Sequence, residues 1–313
     1  MNKKTIKWIF QILVTIALFY LAIQKIDTDK LTEILSESNA VWFLLVPVIV
    51  FFDMWINSYR IVSLYRFYDV NTKIKRVFTI KLQGAFFSLL FPLIGDAYKI
   101  QTFKNVYGNS YAKNSLVVLL DRLIFTFALT IILVPVWIGS VIEVDSILKF
   151  LIIPLFLLEI IILYAINHPS LIQIFSSLTE RIHKRLLVRK YSFEKREGYF
   201  SEITKNTLIA VFRHLMTSLM YLVIAIAIIP HFQFSIVLFL LTVFSIILSR
   251  IIPVSVGGIG LREYIAVIVF PQIGIETEYA FSIAIIVSLV GISQGIAGGV
   301  SYLINRIVVV KGG

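Results

Sequence analysis

Apolar runs of membrane-crossing length recur along the whole chain. A helix rises 1.5 Å per residue, so about 20 apolar residues cross a hydrocarbon core of about 30 Å. Runs of that order predict spans at about residues 6 to 24, 40 to 58, 115 to 140, 148 to 166, 207 to 230 and 280 to 304. Two further apolar stretches, about 77 to 94 and 235 to 272, are interrupted. The first is broken by Pro92-Leu93-Ile94-Gly95-Asp96, the second by Pro253-Val254-Ser255-Val256-Gly257-Gly258-Ile259-Gly260. Proline and glycine end helices, so each stretch predicts two half-helices around irregular backbone.

Of 313 residues, 58% are hydrophobic and 15% charged, against roughly 45–50% and about 25% in soluble domains. That excludes a water-soluble globular protein. The net charge of +11 is dispersed between apolar spans, where cytoplasmic loops carry basic residues, so no nucleic-acid partner is expected. Cysteine is absent, which excludes disulfides and Cys-based zinc sites. Lys3, Lys4 and Lys7 precede an apolar run from Trp8 to Ile23 that is too long for a signal peptide and lacks a small-residue cleavage site. It reads as an uncleaved first span.

Basic residues near span ends stay on the cytoplasmic side. With a cytoplasmic N-terminus, most of the 29 Lys and Arg fall inside, including Arg60, Arg66, Lys73, Lys75, Arg76 and Lys81, read as one loop. Lys25, Lys30 and Lys149 fall outside. A full crossing by the first broken stretch would send the loop from His168 to Asn206, with its eight Lys and Arg, to the outside. That stretch is therefore expected to dip in from the cytoplasm and return. The second then dips from outside, in keeping with Glu276 and Glu278, although Phe234 to Ile252 is long enough to span alone. Opposed, broken segments form an inverted repeat of the kind that builds transporter sites; two kinked structural helices are the plainer alternative.

The expected fold is thus an all-α integral membrane protein of about six full transmembrane helices plus two re-entrant segments. It is one polytopic domain, residues 1–313, in the plasma membrane with both termini cytoplasmic. Its first half is about 1–140 and its second about 148–313, joined across the basic loop 167–206. That loop reads either as an interfacial helix on anionic lipid or as a solvated loop.

An ionised group at a helix centre costs about 2.5 to 3.5 kcal/mol on insertion scales. Asp53, Asp121, Arg122, Glu159 and Arg213 nevertheless fall on four spans, each roughly 7 to 12 Å from its cytoplasmic end. Such residues either neutralise one another or line an inward-facing vestibule. Asp53, Asn57 and Arg60 share one helix face, which should look into the bundle. Asp121 projects about 100° from Arg122 and need not pair with it. Arg122 and Arg213 are the expected phosphate contacts, because a guanidinium fork matches phosphate oxygens; Asp53, Asp121 and Glu159 are supporting acids.

In the second broken segment Gly257, Gly258 and Gly260 permit close backbone approach, and a half-helix starting near Gly260 points unpaired N–H groups inward. Arg250 and Arg262 flank it, and Glu263 either holds an arginine or caps the helix. Pro92, Gly95, Asp96 and Lys99 echo this in the first segment. Gly291, Gly295 and Gly299 form a row of small residues that reads as helix packing. Signals of catalysis are poor. Asp27-Thr28-Asp29 reads as chance, His168, His183, His214 and His231 lack metal-ligand spacing, and no nucleophile-and-base set stands out. Neither metal nor cofactor is expected.

From Pro253 to Glu263 the chain resembles the flippase-like membrane domain of lysylphosphatidylglycerol synthetases, which also occurs free-standing. The resemblance rests on Pro253, Gly257, Gly258, Gly260, Arg262 and Glu263, on the earlier Phe91-Pro92, Gly95 and Asp96, and on Asp121-Arg122; it covers nearly the whole chain. Phe91 replaces the usual Leu, and Lys99 stands where Arg is common. No soluble aminoacyl-transfer domain accompanies the membrane part, so lysine transfer is not implied. The resemblance implies aminoacylated phospholipids or polyprenyl-linked sugars as cargo.

The expected function is translocation of an anionic phospholipid or polyprenyl-phosphate-linked lipid between leaflets, with that lipid as the partner. One alternative is a membrane-embedded enzyme of lipid-linked sugar or cell-envelope glycolipid synthesis, using Asp96 or Glu263 as base. Another is an accessory partner of a glycosyltransferase or lipid-modifying enzyme. The oligomeric state stays open.

Overall fold

The computed structural model describes residues 3–90, 92–138, 146–166, 196–230, 232–248, 255 and 258–311. Every regular element among them is helical. α1 (Lys3–Ile23), the short α2 (Thr28–Ser36) and α3 (Ala40–Phe43) lead into α4 (Leu45–Phe67). Then come α5 (Ile74–Leu90), α6 (Pro92–Tyr107), α7 (Tyr111–Ile138), α8 (Ser146–Ala165) and α9 (Tyr199–Ile228). α10 (Ile236–Ile247), α11 (Leu261–Val269), a 3-10 turn (Phe270–Ile273) and α12 (Thr277–Lys311) complete the order. Among the described residues, four helical stretches are long and apolar enough to cross a membrane: Ala40–Phe67, Tyr111–Pro135, Tyr199–Ile228 and Thr277–Asn305.

Polarity is arranged for lipid. Phe52, Leu157, Ile161 and Leu303 are exposed, whereas Arg60, Asn114, Glu159, His214 and Glu263 are buried. Hydrocarbon solvent has no use for an outer polar face, while inner charges must find partners. Two apolar cores hold the bundle, one around Ile224, Phe239, Ile246 and Ile283, the other around Leu64, Ile80, Leu120 and Ile124. Side chains close the helix starts: Asp27 accepts from the Asp29 N–H at 2.9 Å and Asn39 from the Val41 N–H at 3.1 Å. Asp27-Thr28-Asp29 is therefore the start of α2.

Each broken stretch folds back on itself. In the first, Gly95 of α6 faces Gly84 and Ser88 of α5, and the Tyr98 hydroxyl donates to Gln83 Oε1 at 2.6 Å. α5 ends at Leu90 and Pro92 opens α6, where its missing N–H costs no hydrogen bond. In the second, the Phe239 and Phe270 rings stack at 5.2 Å and Phe234 closes on Gly274, so α10 and α11 are antiparallel.

The open ends of these hairpins lie at opposite ends of the bundle. Beside the first, Lys113 Nζ donates to the Tyr68 carbonyl at 2.8 Å, and Arg196 donates to the Phe67 carbonyl and the Asp69 carboxylate at 2.6 Å. The bond from Arg196 holds the Asp69 carboxyl below its ordinary range. Beside the second, Lys30 pairs with Glu276, which raises the lysine's pKa, and the Asn39 N–H donates to the Ala227 carbonyl at 2.7 Å.

Several expectations change. Arg60 and Arg66 lie within α4, and Lys75, Arg76 and Lys81 within α5, leaving Lys73 alone of the six in the connection read as a basic loop. α4 outlasts its apolar run because Arg60 is buried against Asp121, a partner that hydropathy does not register. In the glycine row, Gly295 and Gly299 of α12 pack on Leu89 and Phe86 of α5, and Gly298 joins them on the Leu82 carbonyl. Gly291 leaves the row, for a Cβ there would meet no atom within 4 Å. Phe91, Arg250, Pro253, Gly257 and residues 167–195 of the basic loop lie outside the described residues.

These contacts separate two glycines of one helix. Gly298→Ala sets a methyl against the Leu82 carbonyl and is expected to destabilise by about 1–3 kcal/mol through overpacking. Gly291→Ala, in open space, is expected to hold or gain stability, since Ala exceeds Gly in helices by about 1 kcal/mol. Thermal unfolding in detergent measures both, and equal losses would refute the distinction.

Candidate functional site

Between the two hairpins lies a cavity of about 350 Å³. α5 and α6 contribute Lys81, Ser88 and Lys99; α4 contributes Asp53; α9 contributes Thr217; α11 and α12 contribute Arg262, Ser288 and Gly291. It lies near the middle of α4 and α12, beside the turns of both hairpins rather than at either end of the bundle.

Sequence reasoning assigned Lys81 to a loop and missed it. Its Nζ is buried, without a hydrogen-bond partner, and no carboxylate lies within salt-bridge distance of it among the described residues. A signal existed: Lys81, Gly84, Ala85 and Ser88 recur at helical spacing, a polar and small stripe along one face of α5. Lys99 is paired at 2.6 Å with Asp96, and that same carboxylate also pairs with Arg122. One acid therefore serves two cations, and the Lys81 amino group shares the cavity lining with Lys99.

Arg262 is the expected residue that the structure places in the cavity with capacity to spare. It stands in the first turn of α11, buried, with Nη1 donating to Ser288 Oγ at 2.9 Å and Nε unpartnered. Ser288 in turn donates to Glu263, whose other oxygen accepts the Gly260 N–H at 2.6 Å. Glu263 thus caps α11 and steadies Arg262 through Ser288. Gly260 has φ +82° and presses on the Thr15 carbonyl and Phe19 of α1, a place that only glycine fits. Gly258, also at positive φ, accepts the Arg262 N–H at 3.0 Å.

The other expected phosphate contacts are engaged elsewhere. Arg213 grips Asp53 through two bonds of 3.0 Å each and lies over the Phe125 ring, and Arg122 pairs with Asp96. Arg60 pairs with Asp121, as the separation of Asp121 from Arg122 around the helix anticipated. Glu159 accepts from Thr130 at 2.7 Å, away from the cavity. At this level mutual neutralisation prevails over an open vestibule, because an unpaired charge in a low-dielectric bundle is costly. Asp96 and Glu263 are likewise engaged, which leaves neither disposed as a general base. Among the described residues no three His, Asp or Glu side chains gather as metal ligands.

Breaking one partner of a buried pair costs about 3–5 kcal/mol, whereas replacing both by apolar groups is close to neutral. Arg213→Met is accordingly expected to destabilise strongly, and Asp53→Leu combined with Arg213→Met to recover most of the loss in thermal unfolding. A double variant no more stable than the single one would mean that the pair is not the anchor of α9 on α4.

No curated protein and no solved structure matches the chain significantly. The family described as the lysylphosphatidylglycerol synthase TM region matches residues 8–298, a range that takes in both hairpins, the buried ion pairs and every residue lining the cavity. With its apolar helices and nearly the whole chain matched, this multi-pass membrane protein belongs to that family.

Proposed function

We propose that the protein translocates an anionic lipid between membrane leaflets, holding the headgroup phosphate in the cavity between the hairpins. The observation that carries this reading is Lys81: a buried amino group without a hydrogen-bond partner, at the wall of a polar cavity. Desolvating a cation without compensation is unfavourable, and an entering anion supplies the missing charge. Phosphate suits the rest of the lining. Arg262 offers a fork with Nε free, Lys99 a second ammonium, and Ser88 and Thr217 hydroxyl groups.

The hairpins act as re-entrant segments, the first from the cytoplasmic side and the second from the outside, as the partition of basic residues expects. Broken backbone at membrane depth is tolerated where it lines a polar hollow, and opposed hairpins give such a hollow two routes of access. Rocking about the fixed ion pairs of α4, α7 and α9 alternates those routes. Membership of a family of lipid-synthase membrane regions supports a lipid as cargo. The engagement of Asp96 and Glu263 disfavours the enzymatic reading.

The test is transfer of fluorescent phosphatidylglycerol in proteoliposomes, read by quenching from outside. Lys81→Met and Arg262→Gln are each expected to slow transfer about tenfold or more, which corresponds to about 1.4 kcal/mol of barrier. Gly291→Leu, filling open space in the cavity, is expected to slow it while leaving the unfolding temperature unchanged. Full-rate transfer by Lys81→Met would overturn the reading.

A further inference from the structure

The polar cavity has an apolar neighbour. A groove of about 400 Å³ runs between α4 and α12 over α5, lined by Val46, Phe51, Met54, Phe78, Ser293 and Ala297 among others. Val50, Val290 and Gln294 line both hollows, which therefore share a wall. The groove exists because α5 packs against both α4 and α12, whereas those two are not among the closely packed pairs. Its mouth faces the surroundings: Phe51 is 49% exposed, and Ser293 and Ala297 are exposed too. Both flanking helices are apolar enough to cross a membrane, so the groove opens onto hydrocarbon. An apolar hollow of that size is dry and takes up an apolar guest.

We propose that this groove seats one acyl chain of a phosphate-bearing glycerolipid whose headgroup lies on Lys81 and Arg262, so that the lipid enters sideways between α4 and α12. The inference rests on reading the cavity as a headgroup site, and it adds the substrate class and the route. The chemistry changes across the shared wall in the order that a glycerolipid requires. The groove is apolar apart from Ser293 and Gln294, and the Ser293 hydroxyl is turned onto the Val290 carbonyl of its own helix at 2.8 Å. Gln294 stands at the boundary, level with the ester region of a lipid so placed, and the cations lie beyond it. An open-sided hollow of this volume seats part of one hydrocarbon chain and leaves the rest in the membrane.

The test uses the full-length protein in nanodiscs doped with phosphatidylglycerol that carries a diazirine midway along one acyl chain. Photolysis and peptide mapping are expected to place adducts on Met54 and Phe78. Ser293→Trp and Ala297→Trp, both at exposed positions, are each expected to cut that labelling about tenfold, equivalent to about 1.4 kcal/mol of binding, with unfolding temperatures unchanged. Adducts spread evenly over lipid-facing residues such as Leu157 and Ile161, and insensitive to either tryptophan, overturn the groove. Labelling of the groove by a photoreactive polyprenyl phosphate in higher yield than by the glycerolipid overturns the acyl chain as its occupant. Failure of the groove while Lys81→Met still blocks transfer leaves the headgroup site standing; full transfer by Lys81→Met removes the reading on which both rest.

Discussion

A charge inside a low-dielectric bundle must find its opposite, and that constraint organises this protein. Arg60 with Asp121 ties α4 to α7, and Arg213 with Asp53 ties α4 to α9. Both pairs join helices that apolar packing alone would leave free to slide and rotate, because in lipid one greasy face is as good as another. Charge pairing supplies the register that hydrophobic burial supplies in water. Where the rule is obeyed, the bundle is a frame; Lys81, buried without a hydrogen-bond partner, is where the proposed ligand would meet it.

The same constraint, applied to the backbone, explains the hairpins. Peptide groups that leave a helix within a membrane need other partners. At the second hairpin Glu263 provides one by capping Gly260, and Gly258 provides another by accepting the Arg262 N–H. The acid of the Arg-Glu pair is thus spent on the fold so that the arginine is held for the cavity. At the first hairpin the division differs: Asp96 is shared between Lys99 and Arg122 and lashes the hairpin to α7. The two hairpins open at opposite ends of the bundle, yet their charged residues do unlike work.

The large features were legible because they rest on hydrophobicity and on helix breakers. Apolar runs located the long helices, and proline with glycine located both folds in the broken stretches. Arg262 and Glu263 were legible from motif and position. Lys81 was not, since counting Lys and Arg by segment treats a basic residue near a span end as loop, and only the tertiary structure shows that it turns inward. The partners of Arg122 and Arg213 were hidden for a related reason: a sequence names the charges in a membrane without naming their partners, and helices distant along the chain supply those partners. The departure of Gly291 from its row was equally hidden, because spacing puts residues on one face without saying where the neighbouring helix ends.

Gly291 also shows why the cavity is structural and not a packing accident. α12 packs so tightly on α5 through Gly295, Gly298 and Gly299 that the two helices act as one unit. The hollow borders α12 at Gly291, beyond the stretch that packs on α5, and its lining takes in Lys81 of α5 and Arg262 of the opposite hairpin. Close packing on one stretch of a helix and none on the next is costly unless something fills the gap, since a void forfeits dispersion contacts along its whole lining. A lining that holds Lys81, Lys99 and Arg262 beside an apolar groove is what supports the proposed filler, a molecule with an anionic end and a hydrocarbon end.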